Sequence, residues 1–198
     1  ETAAAIEATG RKYVHVQANL LSIEPIEGVV AKALEAFGKI DILVNNAGGG
    51  FQKGVEFKDM EAGSWQWIFD LNVNGSMYVL KHSARELVRG GGGSFIGISS
   101  IAASNTHRWF GAYGVTKAAL DHLMMLAADE LGPSWVRVNS IRPGLIATDM
   151  VAPILSMPEL SGDYAAQTPL PRHGEVEDIA NAAVFLLSDA SGWITGQV

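Results

Sequence analysis

Tyr113 and Lys117 stand four residues apart in the segment Tyr113-Gly114-Val115-Thr116-Lys117. On a helix this spacing puts both side chains on one face, with Cβ atoms about 5–6 Å apart. A free tyrosine titrates at about 10 and is a poor base at neutral pH. An ammonium about 6 Å away, in surroundings of effective dielectric about 20, favours the phenolate by roughly 2.8 kcal/mol, or about two pKa units. That brings a phenol toward the range useful for general acid–base chemistry. The spacing also arises by chance on many helices, so the pair alone is more often structural than chemical.

Other polar residues give the pair a context. Ser100 ends a strand-like run over 95–100 and precedes Tyr113 by 13 residues. A hydroxyl there can donate a hydrogen bond to a carbonyl oxygen as negative charge develops, or simply satisfy a turn. Ser99 competes for the role, because alternate strand residues face opposite ways. Asn45-Asn46-Ala47-Gly48 follows an apolar run over 40–44, where Ala and Gly let a flat ligand approach the backbone. Leu71-Asn72-Val73-Asn74-Gly75 interrupts a helical stretch with residues that disfavour a helix interior. A kink there can free a carbonyl to hold water. Pro143-Gly144, followed by Thr148, makes a turn that can wall a planar ring. Each of these, taken alone, also reads as an ordinary turn or a tolerated helix defect.

The elements that must position these residues alternate along the chain. Strands are expected over 13–17, 40–44, 94–99 and 136–141. Helices are expected over 23–37, 64–88, 111–131 and 175–188, the last with an acidic first turn. The run 40–44 reads as a strand buried on both faces. This rhythm predicts an α/β fold, a Rossmann-type doubly wound parallel sheet with helices on both faces. Ligands of such sheets bind beyond the carboxyl ends of the strands, here the loops after Val44, Ile98 and Ile141.

The chain has 198 residues, 48% hydrophobic and 18% charged, a globular composition expected to form a single domain over 1–198. A formal net charge of -7 argues against nucleic acid as a partner. No cysteine is present, which excludes thiol catalysis, disulfides and cysteine-based zinc sites, and no metal is expected. The apolar runs are too short for a membrane span, and the default location is the cytoplasm.

Asn45-Asn46-Ala47-Gly48, Asn72, Ser100, Tyr113-x-x-x-Lys117 and Pro143-Gly144 occur in the order and spacing of the short-chain dehydrogenase/reductase family, which the chain resembles from about Tyr13 onward. The resemblance implies NAD or NADP as cofactor and a catalytic set of Asn72, Ser100, Tyr113 and Lys117. Tyr113 would exchange a proton with the substrate oxygen and Ser100 would polarise it. Lys117 would bind the nicotinamide ribose and lower the Tyr113 pKa, while Asn72 would hold a water linking Lys117 to solvent. Asn46, Ala47 and Gly48 would line the adenosine-ribose side. Pro143, Gly144, Ile146 and Thr148 would contact nicotinamide. Asn19-Leu20 stands where the family often has Asp and an apolar residue against adenine, so the Asn is a departure.

A larger departure is that no Gly-rich strand-to-helix turn for a pyrophosphate occurs between Glu1 and Val198; Gly90 to Gly93 precede a strand instead. The opening, Glu1 to Ile6, reads as mid-helix, and 192–198 stops as a strand begins. The native chain is therefore expected to be longer, with such a turn before Glu1.

The activity implied is hydride transfer between NAD(P) and a hydroxyl/carbonyl pair. An enoyl-thioester reductase is the alternative, on a loose likeness in the run Asn46-Ala47-Gly48-Gly49-Gly50-Phe51, and a non-catalytic nucleotide-binding regulator is a third. Sugar-nucleotide epimerases share Tyr-x-x-x-Lys but lack Asn-Asn-Ala-Gly. The segments 107–110 and 150–160 are expected to flank a small-molecule pocket, within a lid over about 145–170, and their side chains suit an apolar alcohol or ketone. Leu120, Leu123, Met124, Leu126 and Leu131 exceed one face of their helix, so a homo-oligomer, a tetramer, is expected.

Overall fold

The computed structural model describes residues 2–50 and 55–198, apart from the side chain of Leu160. Glu1 of the mid-helix reading and Phe51 of the enoyl-reductase likeness lie outside them.

Three parallel strands form the sheet: β1 (Ile42–Asn45), β2 (Gly93–Ile98) and β3 (Val136–Ile141), in that order. Their register aligns Asn45, Gly97 and Ser140, so the loops that follow open at one edge, as the sequence predicts. Eight α-helices are described: α1 (Thr2–Ala8), α2 (Glu24–Phe37), α3 (Ala62–Phe69), α4 (Gly75–Arg89), α5 (Tyr113–Leu131), α6 (Ala152–Leu155), α7 (Pro158–Gln167) and α8 (Val176–Leu187). Pro25 in the first turn of α2, and Gly38 at φ 82 just past its end, mark that helix with the usual asymmetry of proline at the start and glycine at the stop.

The core lies where α4 and α5 meet β2 and β3: Leu80 and Leu87 from α4, Phe95 from β2, Leu120 and Met124 from α5, Val136 and Val138 from β3. On α5 these residues recur every fourth position and so share one face. The glycine run before β2 is a packing device. Gly92 sits at φ 128, and a Cβ there would come within 2.7 Å of the Trp135 carbonyl oxygen.

Three expectations are corrected. Residues 13–17 form no strand, since no described strand runs beside them to complete a ladder. β1 is not buried on both faces. It is the edge of the three strands, with Ile42 51% and Val44 44% exposed. The end of the chain runs beside β3 without becoming a regular strand. Gly196 N donates to Val138 O and Ser140 N to Gln197 O, but the other rungs use the side chains of Thr195 and Asn139 in place of backbone.

The expected helix over 64–88 is broken where the polar residues predict it. Asp70–Asn74 form a π-turn between α3 and α4, closed by the Gly75 amide donating to Asp70 O five residues back.

Candidate active site

Tyr113 is the first residue of α5, and the loop over 101–112 delivers it to the carboxyl edge of the sheet. Lys117 follows one turn later on the same face, its Nζ 5.7 Å from the centroid of the Tyr113 ring. The ammonium is buried and donates to the Ile98 carbonyl at the end of β2, 2.8 Å away.

Strand alternation settles which serine faces the phenol. The Ser99 hydroxyl turns to the Lys117 carbonyl, 3.3 Å away on the α5 backbone. The Ser100 hydroxyl lies within hydrogen-bonding reach of Tyr113 and also accepts from Ala102 N at 3.2 Å.

Asn72 projects from the π-turn into the same cluster and is 1% exposed. Its Oδ1 accepts from Gly49 N and its Nδ2 donates to Gly49 O, both at 2.9 Å. Nδ2 also donates to Thr116 Oγ1, which in turn donates to the Tyr113 carbonyl. The Asn72 main-chain carbonyl accepts from the Ser76 hydroxyl at 2.7 Å. Ser76 is itself bonded by the Asn45 amide. Sequence reasoning missed Thr116 and Gly49. Their signal was present in the Tyr-Gly-Val-Thr-Lys and triple-glycine runs, but only the fold shows that Asn72 reaches both.

Gly48 closes the cluster. A Cβ there would stand 3.0 Å from Asn72 Oδ1 and 3.3 Å from Lys117 Nζ, so the bare backbone is what fits. The neighbouring Asn46 and Ala47 are exposed. Pro143 O accepts from Ile101 N, which fixes the Pro143-Gly144 turn beside Ser100. A Cβ on Gly144 would meet open space.

The remaining expected residues sit further out. Ile146 packs its Cδ1 against Gly174, and the two form a parallel bridge. Thr148 is exposed, and its carbonyl accepts from Val151 and Ala152 ahead of α6. Asn19 uses its side chain to accept from Leu21 N. The Leu20 carbonyl abuts Gly75, where a Cβ would be 2.8 Å away.

The electrostatics correct one expectation. The Tyr113 pKa is raised, not lowered: burial disfavours the phenolate, and the Ser100 hydrogen bond opposes this only in part. Burial likewise pulls Lys117 down to about 8, with the Asp121 carboxylate acting the other way. Lys117 thus keeps its charge at neutral pH and loses it in mildly alkaline solution.

An aromatic series leads away from the phenol. Phe110 meets Tyr113 edge-on at 6.1 Å, His107 stacks on Phe110 at 4.9 Å, and Tyr164 of α7 stacks beyond His107 at 6.3 Å. Two cavities adjoin this loop. One, of about 460 Å³, lies against Trp67, Met60 and Phe110. The other, of about 410 Å³, lies against Phe57, His107 and Trp109. Residues 107–110 therefore border cavities as expected, whereas none of 150–160 lines either one.

A family model described as Enoyl-(Acyl carrier protein) reductase matches residues 1–198. The 7alpha-hydroxysteroid dehydrogenase of Escherichia coli strain K12 is 36% identical over 193 residues, covering 98% of this chain and 74% of that protein. A short-chain type dehydrogenase/reductase from Mycobacterium ulcerans superposes with a TM-score of 0.94 at 58% identity, over 98% of this chain and 70% of the other. A 7 alpha-hydroxysteroid dehydrogenase complexed with NADH and 7-oxo glycochenodeoxycholic acid superposes with a TM-score of 0.91 at 36% identity, over 98% and 74%.

Proposed function

Because the chain belongs to the short-chain dehydrogenase/reductase family and is an NAD(P)-dependent oxidoreductase of hydroxyl and carbonyl carbons, we propose that Tyr113, Ser100, Lys117 and Asn72 carry its chemistry. The observation that supports this reading is the convergence of Ser100 and Lys117 on one phenol. The residues present fit the nicotinamide half of a dinucleotide. Gly48 leaves backbone beside Lys117, and Gly144 opens onto free space next to the fixed Pro143 turn.

When bound, the nicotinamide supplies or accepts the hydride. In reduction, Tyr113 donates its phenolic proton to the oxygen formed from the carbonyl, and Ser100 donates a hydrogen bond to the same oxygen. Burial keeps Tyr113 protonated, which suits reduction. In oxidation the phenolate accepts the proton, and Lys117 offsets its charge. Asn72 holds Gly49 and Thr116, and through them the backbone at Gly48 and Tyr113. Asn46, Ala47 and Gly48 line the adenosine-ribose side, with Asn19 and Leu20 towards adenine. Pro143, Gly144, Ile146 and Thr148 edge the nicotinamide.

The substrate is a small apolar alcohol or ketone. Residues 145–170 act as a lid over it within a single domain, supported by the aromatic series from Tyr113 to Tyr164. The protein works as a homotetramer in the cytoplasm. Among the described residues no helix is long and apolar enough to cross a membrane. Exposed apolar residues on α5, Val115, Met125 and Leu126, support assembly.

Ketosteroids, 3-oxoacyl thioesters and enoyl thioesters, each offered with NADH and with NADPH, test the activity. Turnover of a ketone supports the reading. Turnover confined to enoyl thioesters would replace it with carbon–carbon reduction, and cofactor binding without any turnover would replace it with a regulatory role.

A further inference from the structure

Asp121 lies one turn beyond Lys117 on α5 and is 3% exposed. Acidic side chains are almost never that buried without a partner. Its partner comes from just past the end of β3: Arg142 Nε donates to Asp121 Oδ2 at 2.7 Å. The other oxygen, Oδ1, has no hydrogen-bond partner among the described residues. The four-residue spacing puts this carboxylate on the Lys117 face of the helix.

Arg142 is the residue before Pro143, and the short stretch around it is a hub. Ser99 N donates to Ile141 O at 2.7 Å, and Ile101 N to Pro143 O at 3.0 Å, so the stretch clasps the Ser100 backbone on both sides. The Arg142 side chain then reaches across to α5. Three separate elements, the end of β2, the Pro143-Gly144 turn and the helix bearing Tyr113 and Lys117, are joined through residues 141–143.

Resting on the roles assigned above to Tyr113 and Lys117, we propose that Asp121 is a positioning residue, a buried counter-charge to Lys117 that Arg142 tethers to the Pro143-Gly144 turn. Among the described residues, the titratable groups facing Lys117 are Tyr113 and Asp121 on its own helix, with Arg142, just past the end of β3, acting through Asp121. What meets it from the 48–49 loop, from Asn72 and from β2 is neutral. Asp121 is two turns from Tyr113, so its charge reaches the phenol mainly through Lys117.

The two partners must then act with opposite sign. Asp121→Asn removes the counter-charge, so Lys117 loses its proton at lower pH. The alkaline limb of kcat/KM for carbonyl reduction, which follows loss of the Lys117 charge, should move down by about one pH unit. Arg142→Met frees the Asp121 charge to act on Lys117 alone, and the limb should move up. NADH titrated by fluorescence between neutral and alkaline pH should show the same opposite shifts in affinity. A purely structural pair would lower thermal stability in both variants and leave both limbs in place, and that result overturns the proposal. If Asp121→Asn does not fold, Arg142→Met decides alone, because the Arg142 side chain is a third exposed and not part of the core. An inactive Tyr113→Phe control with unmoved limbs defeats only this inference. A Tyr113→Phe control that keeps turnover defeats the roles on which it rests as well.

Discussion

Asn72 and Gly49 hold each other by two hydrogen bonds of 2.9 Å, the side-chain amide matching both the N–H and the C=O of the glycine. A helix side chain thus does for the loop after β1 what a neighbouring strand does inside a sheet. Asn72→Ala removes both bonds and the one to Thr116. Each buried polar group left unpaired costs about 1–3 kcal/mol. Denaturant unfolding should show a loss of about 2–5 kcal/mol, accompanied by weaker NADH binding. A loss below about 1 kcal/mol would show that water replaces the amide freely.

Tyr113→Phe keeps the ring against Phe110 and deletes the hydroxyl. Steady-state rates should fall at least 100-fold while NADH titration changes little, since a positioned proton donor contributes about 10²–10⁴-fold. Retention of more than about a tenth of the activity would remove Tyr113 from the chemistry.

Lys117 carries a stability signature as well as a chemical one. Its pKa falls from the ordinary 10.5 to about 8 on folding, so between those values the unfolded chain binds more protons than the folded one. Stability therefore rises with pH across this window, and the cost of the buried charge is complete below pH 8. Lys117→Met has no such term. Relative to wild type it should lose about 3 kcal/mol between pH 7 and pH 10.5, whatever its starting offset. Parallel stability curves for the two proteins would contradict the burial argument.

Two glycines in the site should respond oppositely to alanine. At Gly114 a Cβ would come within 2.6 Å of the Ala102 carbonyl oxygen, which is backbone and cannot step aside. Gly114→Ala should cost about 1–3 kcal/mol and displace the start of α5, lowering kcat. At Gly144 a Cβ meets nothing within 4 Å. Gly144→Ala should leave the melting temperature unchanged and weaken nicotinamide binding. Calorimetry beside NADH titration separates the two.

The exposed apolar residues Met125 and Leu126 on α5 are 46% and 49% accessible in the isolated chain. Changing both to Glu should convert the proposed tetramer to a smaller species by light scattering, with the fold retained by circular dichroism. A wild-type protein that is already monomeric at micromolar concentration would end the tetramer assignment.

Much of this site was legible because its residues are unusual for their elements. Asn72 and Gly75 in a helix, and glycines bunched after an apolar strand, declare themselves by breaking local preference. The Asp121–Arg142 pair did not, because Asp on a helix and Arg after a strand are commonplace, and only the crossing of α5 over β3 brings them together. The sign of the Tyr113 shift was also hidden. Sequence spacing places an ammonium nearby, but the shift is set by burial, which depends on how the 101–112 loop packs. The missing ladder at 13–17 has the same origin, since pairing is a property of neighbours and not of the strand itself.

The π-turn at Asp70–Asn74 adds one residue to a helix that otherwise repeats regularly. One residue of α-helix is about 100° of rotation. The insertion therefore acts as a phase shift, letting Asn72 aim at Thr116 while Leu80 and Leu87 still aim at the sheet. Deleting a residue there would give a straighter helix and a better hydrogen-bond ladder. It would also swing either Asn72 or the whole buried stripe of α4 out of alignment, so in this chain helical regularity and a complete site are mutually exclusive.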